Sequence, residues 1–398
     1  MLEILLAFIP LCSLLTQAAP LHGRSTPNPV VKTATLYGPI SETEPVYLDR
    51  DSCGSTKWGD RVLFVCRDTE VYKDLANRSE GVTAFFSSSA SYIDINSDGS
   101  LSFVPFTPEP GTPDSESHFN YSLPAYGANN NKAFYPTQPD ECDAETGSCD
   151  NNSTRWVIWP DSPPLVSSEG ADGTIKAYSW IKKAYITDSL GVIIENPAIS
   201  LYRLDYSPSI QGTGDVLPAV TLVNEEFFHE NQWTYGDFGN IVIDDTAYLF
   251  AATGNGTTSL AKVPIGSEED VSAYQYFVSG AWTSTMPSIN DPNAIIIATS
   301  GGQGTFYFSQ PWNSYVWIGQ AVNDGSLTFQ ITTAPAIEGP WTVPKTFFSV
   351  ASSPGLVYSV QAHPAFLSDP SINSVWVSYT VAINNYGYDT ILYKFDWE

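Results

Sequence analysis

Positive charge is scarce in this chain. In 398 residues, 17 Lys and Arg stand against 43 Asp and Glu, a formal charge of −26. Phosphate backbones are bound by neutralising them with Lys and Arg, so nucleic acid is not an expected partner. An anionic leaflet would also repel such a surface. Charged residues of both signs make up only 15 % of the chain, against about a quarter in an ordinary globular protein. Ser, Thr, Asn, Gly, Pro and Tyr must therefore form much of the surface. Met occurs twice and His four times. The sequence has no GxSxG, HExxH, P-loop or dinucleotide fingerprint, and its cysteines lack CxxC spacing. Neither a cofactor nor a metal is expected. Helical periodicity is also hard to find. What is present is 42 % hydrophobic and 13 % aromatic residues, enough for a large core and unlike a disordered chain.

The N-terminus has one apolar run, Leu2 to Leu15, broken by Pro10 and followed by Ala18-Ala19. It is shorter than the roughly 18 residues needed to span a bilayer. It reads as a secretory signal peptide over residues 1–19, which makes the mature protein extracellular and free of membrane. Cys12 leaves with it, and Cys53, Cys66, Cys142 and Cys149 remain. An even count in an exported chain suggests two disulfides. Three pairings are possible, and proximity favours Cys53–Cys66 and Cys142–Cys149. Asn77, Asn120, Asn152 and Asn255 each head an N-glycosylation acceptor.

Short β-rich runs separated by turn residues recur along the chain, the pattern of a sandwich, barrel or propeller. Residues 107–153 are rich in Pro, Asp, Ser and Asn and read as one long insertion holding the Cys142–Cys149 loop. The other runs fall into about five groups near 46–106, 154–206, 234–279, 280–333 and 354–397, each long enough for a four-stranded blade. The expected fold is thus all-β: a single five-bladed β-propeller over residues 20–398, with four-stranded antiparallel blades, in a monomer. The strand from Val31 to Tyr37 would meet the C-terminal group.

The most informative stretch runs from Leu48 to Tyr72. Gly59-Asp60 is a natural two-residue hairpin turn. If Trp58 faces Arg61, then Cys53 faces Cys66 and Asp51 faces Asp68. The turn and the proposed disulfide thus give one register independently. A strand period of two places Asp51 and Asp68 on the face of the disulfide, their Cβ atoms about 4.5–5.5 Å apart. Two carboxylates this close resist ionising together, so one pKa rises. General acid and base work needs that asymmetry. The blander alternative is a solvated pair neutralised by Arg50 and Arg67.

The segments Arg50-Asp51-Ser52-Cys53-Gly54-Ser55 and Leu63-Phe64-Val65-Cys66-Arg67-Asp68-Thr69 resemble the opening of the domain-of-unknown-function family 4185. Later matches follow in order: Tyr235-Gly236-Asp237-Phe238-Gly239-Asn240, Leu260-Ala261-Lys262-Val263-Pro264, Gly280-Ala281-Trp282, Tyr315-Val316-Trp317-Ile318-Gly319 and Ala362-His363-Pro364. The resemblance implies a five-bladed propeller and an endo-acting glycoside hydrolase that cleaves furanoside-containing, arabinofuranan-like polysaccharide. Its acidic pair maps onto Asp51 and Asp68. Cys53 and Arg67 stand where the family has Gly. A guanidinium beside Asp68 would keep it ionised and leave Asp51 as the acid. Arg50, Arg67, Asp237 and His363 are the further candidates for substrate contact. Turn chemistry is the alternative for Asp237, and core packing is the alternative for His363. Asp94, Asn96 and Asp98 match half of a calcium loop, but Pro105 stands where its bidentate Glu should be, so a turn is the better reading. A non-catalytic, lectin-like carbohydrate-binding propeller is the alternative function.

Overall fold

The structure is a computed structural model. It describes residues 27–42, 47–73, 75–102, 121–123, 132–138, 140–149, 153–212, 216–253, 256–298, 301–321, 327–350, 356–382 and 387–398. The leader and the asparagines at 120, 152 and 255 lie outside these residues, as does the side chain of Asn77.

The fold is all-β. Helix among the described residues is limited to the single turn Pro208–Gln211 and four short 3-10 turns. None of these helices is long and apolar enough to cross a membrane.

The strands form sheets from successive parts of the chain, antiparallel except where Tyr121–Leu123 pairs parallel with Val31–Glu42. One is built from Leu165–Glu169, Ile175–Lys182, Ile199–Tyr206 and Ala219–Phe228 in that order, and another from Gly301–Ser309, Ser314–Ala321, Leu327–Ala334 and Lys345–Val350. Between them lies the sheet that begins Gly239–Ile243, Thr246–Ala252 and Thr257–Pro264. The largest sheet carries Leu356–Ala362, Ser374–Ala382 and Tyr388–Trp397, and the last of these pairs antiparallel with Val31–Glu42. That sheet continues through Tyr47–Arg50, Thr69–Tyr72 and Val82–Phe86. A three-stranded sheet of Gly54–Trp58, Arg61–Cys66 and Ser89–Asp94 lies beside it.

Middle strands are buried on both faces. Ser374–Ala382, for example, is buried at every position except its two ends. Outer strands such as Ala219–Phe228 and Lys345–Val350 are largely exposed. Apolar contacts join the sheets face to face. Trp180 and Leu201 pack with Leu249 and Ala261, and Leu63 and Tyr92 with Ala177 and Leu204. Phe250 packs with Trp317, Phe329 with Val377, and Phe64 with Trp376 and Leu392.

Two sequence expectations are corrected here. The second group of strands extends to Phe228 because Ala219–Phe228 is an edge strand whose polar outer residues read as a connection. The third and fourth groups consequently span 239–298 and 301–350. Within the insertion, Phe134 and Tyr135 are core residues packed with Tyr202, and the Tyr135 hydroxyl lies 2.7 Å from Ser179 Oγ.

Candidate active site

The opening hairpin positions the first acids. Trp58 pairs with Arg61 and Gly54 with Val65, around Gly59, whose φ is +62°. In the neighbouring sheet Arg50 pairs with Thr69 and Tyr47 with Tyr72. This is the same register, carried from one sheet to the next across residues 51–53 and 66–68. At the crossing Asp51 N donates to Asp68 O and Arg67 N to Asp51 O, both at 2.9 Å. Ser52 there takes φ +48°, a conformation that costs a non-glycine residue about 1–3 kcal/mol. Its N–H is held by Thr380 Oγ1 at 3.0 Å. The disulfide Cys53–Cys66 closes the hairpin just past this bend, and Cys142–Cys149 closes the second loop.

Asp51 is 5 % exposed. Burial raises its pKa to about 6, while Arg67 and the Ser52 and Tyr358 hydroxyls act against the rise and Asp68 adds to it. Ser52 Oγ donates to Asp51 Oδ1 at 2.7 Å, and the Tyr358 hydroxyl lies near enough to favour the charged form of this carboxyl. Asp68 is held differently. Trp159 Nε1 donates to its Oδ1 at 3.0 Å, and the Arg155 guanidinium pairs with its Oδ2. Both oxygens therefore accept, the pattern of a carboxylate rather than a carboxylic acid.

Arg67 does not pair with Asp68. Its guanidinium pairs with Asp161 and lies 5.3 Å from the Trp159 ring centre. Burial pulls its pKa below the ordinary value, while the charges of Asp51 and Asp237 pull it back. Lys182 Nζ bridges two more acids, 3.1 Å from Asp161 Oδ2 and 2.6 Å from Asp237 Oδ2. Gln303 Nε2 donates to Asp161 Oδ1 at 3.1 Å, and Gln361 Nε2 to the Asp161 carbonyl at 3.2 Å. Asp237 is 1 % exposed, and its Oδ1 has no hydrogen-bond donor among the described residues.

Local sequence explains two of these placements. Asp237 follows Gly236, whose φ is +91° and where a Cβ would run into the Trp180 ring. Only glycine lets the turn lie flat on that indole. In Leu356–Ala362 a bulge falls between Tyr358 and Gln361. Its extra residue turns side chains three apart onto one side, so both reach the acids.

The site thus joins Asp51, Arg67, Asp68 and Asp237 with Trp159, one of several Trp that could stack on a sugar, and with residues the sequence reading missed: Arg155, Asp161, Lys182, Gln303, Tyr358 and Gln361. Two candidates drop out. Arg50 turns away, donating to Ser91 Oγ at 2.8 Å and lying over Phe64. His363 is fully buried, with Nδ1 2.9 Å from Ser55 Oγ and Nε2 2.7 Å from Ser378 Oγ. It stacks on Phe366, and burial pushes its pKa down to about 3, so it is a neutral packing residue. Asp98 accepts from Ser100 N and Oγ within a tight turn, which is the turn alternative to calcium. No cluster of His, Cys, Asp and Glu suited to a metal occurs among the described residues.

No protein-family profile and no curated protein matches the sequence. Among solved structures, a Bacteroides ovatus protein provisionally assigned as a hydrolase shares the fold. Its TM-score is 0.56 at 15 % identity, over 89 % of this chain and 93 % of that one. The catalytic domain of the Coprinopsis cinerea GH62 alpha-L-arabinofuranosidase gives 0.42 at 11 % identity, over 93 % and 96 %. A family 117 glycoside hydrolase from Zobellia galactanivorans gives 0.45 at 11 %, over 92 % and 90 %.

Proposed function

We propose that this protein is a secreted glycoside hydrolase of the type suggested by its resemblance to the domain-of-unknown-function family 4185. Its fold would be a five-bladed propeller, and it would cleave furanoside-containing polysaccharide internally. The observation that carries the proposal is one buried cluster of side chains, called the chamber from here on, in which acids of opposite character meet. Asp51 keeps its proton up to about pH 6, and Asp68 is held as an acceptor by Arg155 and Trp159. That division suits the two tasks of glycosidic cleavage. Asp51 gives its proton to the leaving oxygen as the C–O bond breaks. Asp68 takes a proton from the attacking water, or attacks the anomeric carbon itself. Asp237, whose buried Oδ1 has no hydrogen-bond donor among the described residues, is a further carboxylate of the same cluster. The five sheet-to-sheet cores and the pairing of the first strand with the last support the propeller reading.

The test is incubation of wild type, Asp51→Asn, Asp68→Asn and Asp237→Asn with arabinans, galactofuranans and pyranoside glycans. Internal cleavage of a furanoside polymer by wild type alone supports the reading. Full activity in Asp51→Asn would sink the acid assignment. Binding without cleavage would leave the lectin-like alternative.

A further inference from the structure

Behind the chamber lies a second buried charge cluster that the proposed chemistry does not use. Asp49 and Glu70 are directly paired across neighbouring strands. Asp49 and Asp389 are buried, and so is Arg78, from the 3-10 turn Leu75–Glu80. Arg78 Nη2 lies 2.6 Å from Asp389 Oδ1 and 3.5 Å from Asp49 Oδ2. Tyr72 donates its hydroxyl to Glu70 at 2.7 Å. One guanidinium thus pairs with two carboxyls, Asp49 and Asp389, with Glu70 beside Asp49, and burial pushes all three upward in pKa, Asp49 well upward.

This cluster grips one residue by its main chain. The Tyr388 N–H donates to Asp49 Oδ2 at 2.9 Å, and Arg78 Nη2 reaches the Tyr388 carbonyl at 3.5 Å. Gly387, with φ +91°, lets the grip close. A Cβ there would collide with Asp49, Glu70 and the Tyr72 hydroxyl. The Tyr388 side chain is half-buried and near enough to Asp68 and Asp51 for their charges to add to the effect of burial in pushing its pKa up. Its phenol therefore stays protonated and acts as a neutral donor.

We infer that Tyr388 is a saccharide-contacting residue, its hydroxyl donating to a sugar oxygen in the chamber, and that Asp49 positions it through the Tyr388 N–H. The sugar contact rests on the hydrolase reading. The grip does not.

The test uses wild type, Tyr388→Phe, Asp49→Ala, Asp49→Asn and the double variant Asp49→Ala/Tyr388→Phe. With a cleaved glycan, Tyr388→Phe should raise KM about 3- to 10-fold with little change in kcat, the loss expected for one hydrogen bond. Asp49→Ala should do the same, and the double variant should be no worse than the weaker single one, since coupled residues are not additive. Asp49→Asn should restore wild-type KM because its amide oxygen still accepts the N–H. Amide hydrogen exchange at Tyr388 should be slow in wild type and Asp49→Asn and fast in Asp49→Ala. Additive KM effects, or unchanged exchange in Asp49→Ala, would overturn the positioning role. If wild type neither binds nor cleaves any glycan, the sugar contact falls with the hydrolase reading, and the exchange result still decides the grip.

Discussion

Two buried charge clusters meet at Tyr388, and they are built on opposite plans. In the chamber, Asp51, Asp68, Asp161 and Asp237 are distributed among Arg67, Arg155 and Lys182, supplied by separate stretches of chain. In the rear cluster, Asp49 and Asp389 share a single guanidinium, with Glu70 beside Asp49, and together they hold a stretch of main chain. The first plan leaves one acid, Asp51, protonated below about pH 6 and within reach of other carboxylates. The second converts a proton excess into rigidity. Each carries more acids than bases.

The comparison breaks most sharply at Asp51. Asp51→Asn should lower turnover about 10³-fold, within the range for a lost general acid, while replacements in the rear cluster spare kcat. Turnover of a cleaved glycan measures this. Next in size is loss of the rear cation. Arg78→Leu leaves Asp49 and Asp389 without it and should cost about 3–5 kcal/mol of stability at pH 7, read by urea unfolding. The penalty should shrink as pH falls, because burial raises the pKa of both carboxyls and they take up protons early.

A third prediction follows from the sign of the Asp51 shift. Its folded pKa, about 6, lies above the ordinary 3.8, so the stability it contributes is complete below about pH 4 and is lost as pH rises through 6. The shift amounts to about 3 kcal/mol. Asp51→Asn lacks this loss and should unfold at higher denaturant than wild type at pH 8, the gap closing toward pH 4. In parallel, kcat/KM of wild type should fall as pH rises through 6. The smallest effect belongs to a residue outside both clusters. His363→Asn should cost about 1–2 kcal/mol through its two hydroxyl contacts and leave KM and the pH profile unchanged.

The hairpin was legible because its information is local. One Gly-Asp turn and one cysteine pair fix a register that runs from Tyr47 to Tyr72. Edge strands were not legible, because Ala219–Phe228 exposes too many side chains to show a period of two. Arg50 and Arg67 read alike as neighbours of the acids, yet only Arg67 stays with them. Arg50 lies in a regular strand with its side chain against Ser91, whereas Arg67 lies in the crossing, where neither sheet dictates direction. Asp161, Lys182, Gln303 and Gln361 reach the chamber from distant parts of the chain. Gln303 and Asp161 are 142 positions apart, and no local pattern announces such a meeting. The Asp161 stretch, Trp159-Pro160-Asp161-Ser162-Pro163, carried one usable hint, since prolines on both sides of an acid fix a loop that can hold it in place.

The pairing of Val31–Glu42 with Tyr388–Trp397 also sets an order of assembly. The grip of Asp49 on Tyr388 spans 339 positions. During synthesis, which adds roughly 5–20 residues per second, the hairpin bearing Asp51 and Asp68 exists long before the strand that completes its sheet. The acids and their partners from 155 to 303 can be present while Tyr388 is still untranslated. Completion of the chamber therefore waits for the synthesis of Tyr388, and a chain stopped before Tyr388 should be open to proteases at the hairpin where the longer chain resists them.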